Sequence, residues 1–193
     1  MSRHLSISAI LIALSCICIG NAVAEDGLPG QMKVGEHRLV LNGAGVRTKA
    51  FLELYSAGLY LTQPSNNSAT ILAAEEPMVL RIKITSSFVS QSSLVDSLED
   101  GFKNTTGGNT REIRKEIDQF RELFKGNITK GDVFDIIYIP NRGVLVNKNG
   151  KYVGDVGAVG GTKFKQALFG IWLSDKPADT ALKQALLTPQ KIR

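Results

Sequence analysis

Arg47 is the side chain of this sequence best suited to binding chemistry. Its guanidinium is always charged and offers a planar fork of donors that matches a carboxylate or phenolate oxygen. It follows Leu41-Asn42-Gly43-Ala44-Gly45-Val46, where the glycines let the backbone bend close to a ligand. Eight residues later comes Tyr55, whose hydroxyl would supply a neutral donor to the same anion. On one uninterrupted strand the two would stand ~26 Å apart at ~3.3 Å per residue. Their cooperation therefore requires the chain to fold back between them, near Thr48-Lys49-Ala50. The competing readings are an arginine at the surface or in a salt bridge, and a core tyrosine whose hydroxyl bonds to backbone.

Other chemistries fail for want of residues. Cys16, Cys18 and His4 lie in the first 24 residues, which leaves His37 as the one later histidine and no later thiol. A cysteine nucleophile, a disulfide frame and a cysteine/histidine zinc site are thereby excluded from the rest of the chain. A Ser-His-Asp arrangement would have to use His37, which opens a strand in Glu36-His37-Arg38 and is expected to be exposed. The pairs Glu75-Glu76 and Glu99-Asp100 are adjacent in sequence, so their members point to different faces and make poor acid/base dyads. Gly154 to Lys163 is glycine-rich but spells neither the dinucleotide fingerprint nor a P-loop, because Thr162 stands where a P-loop ending in Lys163 needs glycine. Anion capture by backbone amides near Thr162 stays open beside an ordinary loop and cap. No metal and no organic cofactor is expected.

The N-terminus reads as an export signal, with a basic start at Arg3 and His4, an apolar run from Leu5 to Ile19, and Ala22-Val23-Ala24 as a small-x-small cleavage site. Cleavage after Ala24 would place the protein in the periplasm or outside the cell. The apolar run is shorter than the ~20 residues that span a bilayer, so no transmembrane segment is expected after cleavage. Lipid attachment at Cys16 or Cys18 is the alternative, but Ala13-Leu14-Ser15 lacks the apolar residue expected three places before a lipidated cysteine. The formal charge of +5 loses only Arg3 with the leader. The remaining basic residues are scattered among acidic ones without aromatic interleaving, a poor nucleic-acid signature. A mildly basic exported domain suits an anionic small molecule or a lipid surface, and equally a plain solvated face.

The elements that must position Arg47 and Tyr55 follow from periodicity. Residues 25–33 read as a flexible lead-in and 34–190 as one domain. Strands are predicted at Arg38 to Leu41 and Phe51 to Leu61, with a bend from Asn42 to Gly45 and a bulge at Gly58. A short helix at Ser68 to Ala74 precedes Met78 to Ile84, where alternation marks a strand with one buried face. Two helices follow, one carrying Leu94, Leu98 and Phe102, the other opened by a capping box at Asn109 and Glu112 and stopped at Gly126. Their apolar stripes are read as core. Strands at 132–139, 144–146 and 152–153 include an Asn149-Gly150 tight turn. Phe164 to Ile171 and Leu182 to Leu186 close the chain as helices. Antiparallel strands around paired helices indicate an α+β fold.

Two blocks carry a resemblance: Leu41 to Leu61, with its Gly-Ala-Gly-x-Arg segment, and Phe164 to Leu187, with Phe169-Gly170-Ile171-Trp172-Leu173-Ser174-Asp175. Together they resemble the chalcone isomerase-like family over roughly residues 33 to 187. The resemblance implies an open-faced β-sandwich, a large antiparallel sheet backed by a layer of helices. In the plant isomerases it places the arginine corresponding to Arg47 in the active-site cleft, where it steadies the substrate oxyanion during flavanone ring closure. The rest of that enzyme site is missing. Tyr55 stands where the isomerases have threonine, Gln91 to Leu98 offers no counterpart of their helical tyrosine and asparagine, and the hairpin is shorter. Other members of the superfamily are similar to fatty-acid carriers in which an arginine and a tyrosine grip the carboxylate, the roles open to Arg47 and Tyr55. The resulting expectation is a non-catalytic binder of a small amphipathic anion such as a fatty acid. The alternatives are an intramolecular lyase using Arg47 and Tyr55, and an interaction module whose cleft is filled by side chains.

Overall fold

The computed structural model describes residues 23–24, 28–157 and 161–190. The leader through residue 22, with Cys16 and Cys18, lies outside them, as do Ala158, Val159 and Gly160 of the glycine-rich segment. The strands are β1 (Val23–Ala24), β2 (Leu28–Pro29), β3 (Gln31–Val34), β4 (His37–Lys49), β5 (Leu52–Leu61), β6 (Met78–Ile84), β7 (Val133–Ile139), β8 (Gly143–Lys148) and β9 (Lys151–Val156). The helices are α1 (Ser68–Ala73), α2 (Gln91–Thr105), α3 (Arg114–Glu122), α4 (Thr162–Leu173) and α5 (Thr180–Leu186). Strands β3 to β9 form one antiparallel sheet in chain order, while β1 and β2 pair separately. Among the described residues, no helix is long and apolar enough to cross a membrane.

Alternation along the central strands sorts the two faces. Tyr55, Ala57, Leu59 and Leu61 of β5 point with Leu80, Ile82 and Ile84 of β6 and Phe134 and Ile136 of β7 toward the helices, where they meet Phe102, Phe120, Phe164 and Leu168. The Phe102, Phe120 and Phe164 rings sit 5.7 to 6.3 Å apart in stacked and edge-on pairs. The opposite face carries Leu39, Leu41, Tyr60, Val79, Ile137 and Leu145 as a second apolar cluster, which Met32 and Val34 of β3 join. Beside it Arg81 and the buried Asp135 form a two-pronged ion pair at 2.6 and 2.9 Å. One sheet covered by helices on one face is the open-faced α+β arrangement expected.

Several local expectations are corrected. The sheet begins before residue 34, because Gln31–Val34 is already a strand and Leu28 is buried, so the segment read as a flexible lead-in contributes to the fold. The anticipated bend at 42–45 is part of a continuous β4, whose register slips at Asn42 and again between Arg47 and Thr48. Those slips lie opposite β5, where Gly58 pairs regularly with Ala44 instead of forming a bulge. The Asn109/Glu112 capping box does not form: residues 111–113 make a short 3-10 turn, α3 starts at Arg114, and Glu112 pairs instead with Lys163. The capping box of this fold opens α2, where Ser90 and Ser93 exchange side-chain to backbone bonds at 3.0 and 3.2 Å. α3 ends at Glu122, four residues short of Gly126. The Asn149-Gly150 turn is present, both residues at positive φ.

Candidate functional site

Strands β4 and β5 are joined by a two-residue turn at Ala50 and Phe51, both at positive φ, so the chain folds back where the pairing of Arg47 with Tyr55 requires it. The two become direct register partners on the face toward the helices. Arg47 Nη1 donates to the Tyr55 hydroxyl at 3.4 Å, and the guanidinium carbon stands 5.8 Å from the Tyr55 ring centroid. Trp172 of α4 donates its indole Nε1–H to the same hydroxyl oxygen at 2.9 Å in a buried contact. The phenolic oxygen thus accepts twice from the protein, and its proton is left to point elsewhere.

Arg47 is half-buried, and its Nε–H is shielded from solvent without a hydrogen-bond partner. Among the described residues no carboxylate pairs with it. A buried donor without an acceptor costs free energy, and the cost is heavier on a charged group. Its Nε–H therefore stands ready for an acceptor that the described residues do not supply.

The pair opens into a cleft of ≈ 320 Å³ between sheet and helices. Leu54 and Tyr55 border it from β5, Phe88 and Val89 from the loop before α2, Ser93, Leu94, Ser97 and Leu98 from α2, and Ile171 and Trp172 from α4. The walls are mainly apolar, with the guanidinium at one end. Asp96 and Asp100 stand on the exposed side of α2 at the rim. The serines are already committed, Ser93 to the cap of α2 and Ser97 Oγ to the Ser93 carbonyl at 2.8 Å. Among the described residues no histidine or cysteine lines the cleft, and His37 is exposed at the far end of β4. The arrangement can hold an anion with an apolar body; the proton-bearing groups on its walls are the Tyr55 hydroxyl, Lys49 and the exposed rim acids Asp96 and Asp100.

The glycines before Arg47 serve a purpose other than the one expected of them. A Cβ at Gly43 would fall 2.2 Å from the Ala185 carbonyl oxygen, and one at Gly45 would fall 2.7 Å from the Ala185 Cβ. They clear space for α5, not for a ligand. That helix is held there by Asn42, whose side-chain amide donates to the Leu186 carbonyl at 2.8 Å, and by Asp179, which caps α5 through Leu182 N and accepts from Thr48 N. The order of events is structural: α5 clamps β4, β4 fixes Arg47, and the hairpin brings Tyr55 beside it.

The residue missed at the sequence level is Trp172. It lies one position after Ile171 of the predicted α4 stripe, where an apolar packing role accounts for it equally well. The available signal was chemical: a buried tryptophan needs an acceptor for its N–H, and a tyrosine hydroxyl is a common one. The start of α4, considered for anion capture, already faces a carboxylate of the chain. Glu75 accepts from the Tyr138 hydroxyl and from Thr162 Oγ1, and the Tyr138 bond foremost keeps its carboxyl below the usual range.

The fold matches that of a fatty-acid binding protein from Arabidopsis thaliana, with a TM-score of 0.66 at 18% identity, over 86% of this chain and 95% of that one. No curated protein matches the sequence significantly. The family model of chalcone isomerase-like proteins matches residues 20–188, nearly the whole sheet-and-helix unit that carries Arg47, Tyr55 and Trp172, and the chain belongs to that family.

Proposed function

We propose that this protein is a non-catalytic binder of a small amphipathic anion, with a long-chain fatty acid as the class that fits best, and that it works outside the cytoplasm after removal of its leader. The observation that carries this reading is the Arg47 guanidinium, which reaches an apolar-walled cleft with a shielded donor and no carboxylate partner among the described residues. A carboxylate there would accept from the arginine fork and from the Tyr55 hydroxyl, while its hydrocarbon tail lay against Leu54, Leu94, Leu98 and Ile171. The likeness to a fatty-acid binding protein supports the reading at the level of fold. An open cleft of this volume weighs against a module whose cleft is filled by side chains, and a Tyr55 hydroxyl already engaged by Arg47 and Trp172, with Asp96 and Asp100 out at the exposed rim, weighs against a lyase. Native mass spectrometry of the purified protein, followed by extraction and identification of what is released, tests the proposal. A stoichiometric fatty acid is the expected result. Protein that is ligand-free and also takes up no added fatty acid would reject it.

A further inference from the structure

The tip of the β4–β5 hairpin carries two unfavourable features at once. Phe51 is 101% exposed, and its φ of +66° lies in the left-handed region that a bulky side chain adopts only at a cost. A two-residue hairpin turn of this kind ordinarily uses Asn-Gly, and this one uses Ala50-Phe51. Beside it Leu52 is 46% exposed. The loop bearing Phe88, itself 73% exposed, is fastened to the same end of β5, because Thr85 N and Ser86 N both donate to the Leu54 carbonyl at 3.1 and 3.3 Å. Phe88 also borders the mouth of the cleft together with Arg47 and Lys49.

Three exposed apolar side chains therefore lie at this end of the sheet, Phe88 on the cleft itself and Phe51 and Leu52 on the hairpin whose Arg47 and Lys49 border it. At 150–250 Å² for each aromatic side chain, they could bury roughly 500 Å². That is well short of the ~800 Å² per partner of a stable protein interface, so a second copy of this chain is a poor occupant. Two or three aromatic and aliphatic tips with adjacent basic residues are instead what an interfacial lipid layer accepts. The exposed acids nearby, Glu53 on the hairpin and Asp96 and Asp100 on α2, outnumber the cations Arg47 and Lys49, so the attraction is apolar and carries no preference for anionic lipid.

We propose that Phe51, Leu52 and Phe88 insert into the interfacial layer of a lipid bilayer and seat the cleft mouth on the membrane with which an acyl ligand is exchanged. The inference rests on the binder reading above, since exchange with a bilayer is useful only to a cleft that takes a lipid.

Flotation of the protein, as secreted by an exporting host, with vesicles of phosphatidylcholine and of phosphatidylcholine mixed with phosphatidylglycerol tests it. Wild type is expected to float with both, and no better with the mixture. Phe51→Ser with Leu52→Ser should weaken partitioning by about ten-fold for each side chain lost from the lipid. The same double variant should bind palmitate in vesicle-free solution as wild type does, because neither residue lines the cleft, while the rate of palmitate transfer between vesicles falls. A wild-type protein that does not float, a double variant that floats unchanged, or a solution dimer dissolved by the double variant would each overturn the docking proposal. Palmitate binding without flotation would remove the docking proposal alone. Tip-dependent flotation by a protein that never takes up palmitate would remove the binder reading, and with it the purpose assigned to docking.

Discussion

Arg47→Ala separates a ligand-holding arginine from a structural one. In the unliganded protein the guanidinium makes one long hydrogen bond, at 3.4 Å, and one loose contact with the Tyr55 ring, and it leaves Nε without a partner. A partly exposed cation–π contact contributes roughly 0.5 to 1 kcal/mol, and removal of the shielded donor offsets part of that loss. The melting temperature of the free protein should thus move by no more than ~2 to 4 °C, the shift expected per kcal/mol in a domain of this size. Binding should respond far more. Removing one side of a desolvated charge pair costs about 2 to 5 kcal/mol, which raises Kd between about 30-fold and several thousand-fold. Fatty acid at ~100 times Kd stabilises wild type by ~2.7 kcal/mol, a rise of roughly 5 to 10 °C. At the same ligand concentration the variant should gain ~4 °C at most, and almost nothing at the upper end of that range. Differential scanning fluorimetry with and without palmitate, alongside calorimetric titration, reads both quantities. Unfolding of the free variant would show the arginine to be structural, and unchanged palmitate affinity would refute the site.

Further perturbations test the frame around the site. Tyr55→Phe strands the buried Trp172 Nε1–H, so it should destabilise the free protein by ~1 to 3 kcal/mol, more than Arg47→Ala does, as urea denaturation would show. Gly43→Ala puts a methyl group 2.2 Å from a backbone oxygen of α5 and should cost ~1 to 3 kcal/mol or more through displacement of that helix, visible as a lower urea midpoint. Ala50→Asn with Phe51→Gly relieves two left-handed non-glycine positions and should raise stability by ~1 kcal/mol or more, while partitioning into vesicles weakens about ten-fold. Asp132 carries an acid-limb prediction. Burial opposes its ionisation, yet bonds from Lys148, Asn149 and Thr129 N prevail and hold its pKa down to about 2, below the ordinary 3.8. The folded value is depressed, so its stabilising effect of about 2 kcal/mol is present above pH ~4 and is lost as pH falls toward ~2. Asp132→Asn should flatten that limb in pH-dependent melting. An ortho-hydroxychalcone incubated with the protein should give no enantiomeric excess of flavanone, because ring closure needs a complete acid/base system and Gln91 to Leu98 carries no tyrosine or asparagine to supply it.

What was legible in the sequence is what local chemistry decides. Leu80 to Ile84 alternates because helices cover that side, although Val79 is buried in the cluster on the other, and Asn149-Gly150 states its own turn through two residues that tolerate positive φ. The requirement that the chain fold back between Arg47 and Tyr55 came from strand length alone. Features set by distant partners were not legible. Gly43 and Gly45 resemble flexible ligand-side glycines until α5, some 140 residues later, is packed against them. Gln31–Val34 carries few strong strand residues and is a strand because β4 offers an edge. Asn109 and Glu112 have the spacing of a capping box, but Lys163 takes the glutamate and the backbone turns too tightly for the cap. Trp172 needed the fold to bring α4 over β5 before its N–H acquired a meaning.

The central claim is that Arg47 holds a carboxylate. Palmitate labelled at its carboxyl carbon, bound to the protein and followed by NMR as pH is lowered, tests this directly. A carboxylate beside an unpaired guanidinium stays ionised below the pH at which a free one protonates, since the nearby positive charge favours the charged form. The bound resonance of wild type should therefore keep its ionised position to distinctly lower pH than unbound palmitate does. Any residual bound signal in Arg47→Ala should titrate at higher pH than in wild type. A bound carboxyl that titrates identically in wild type and variant would place the headgroup away from Arg47 and contradict the account.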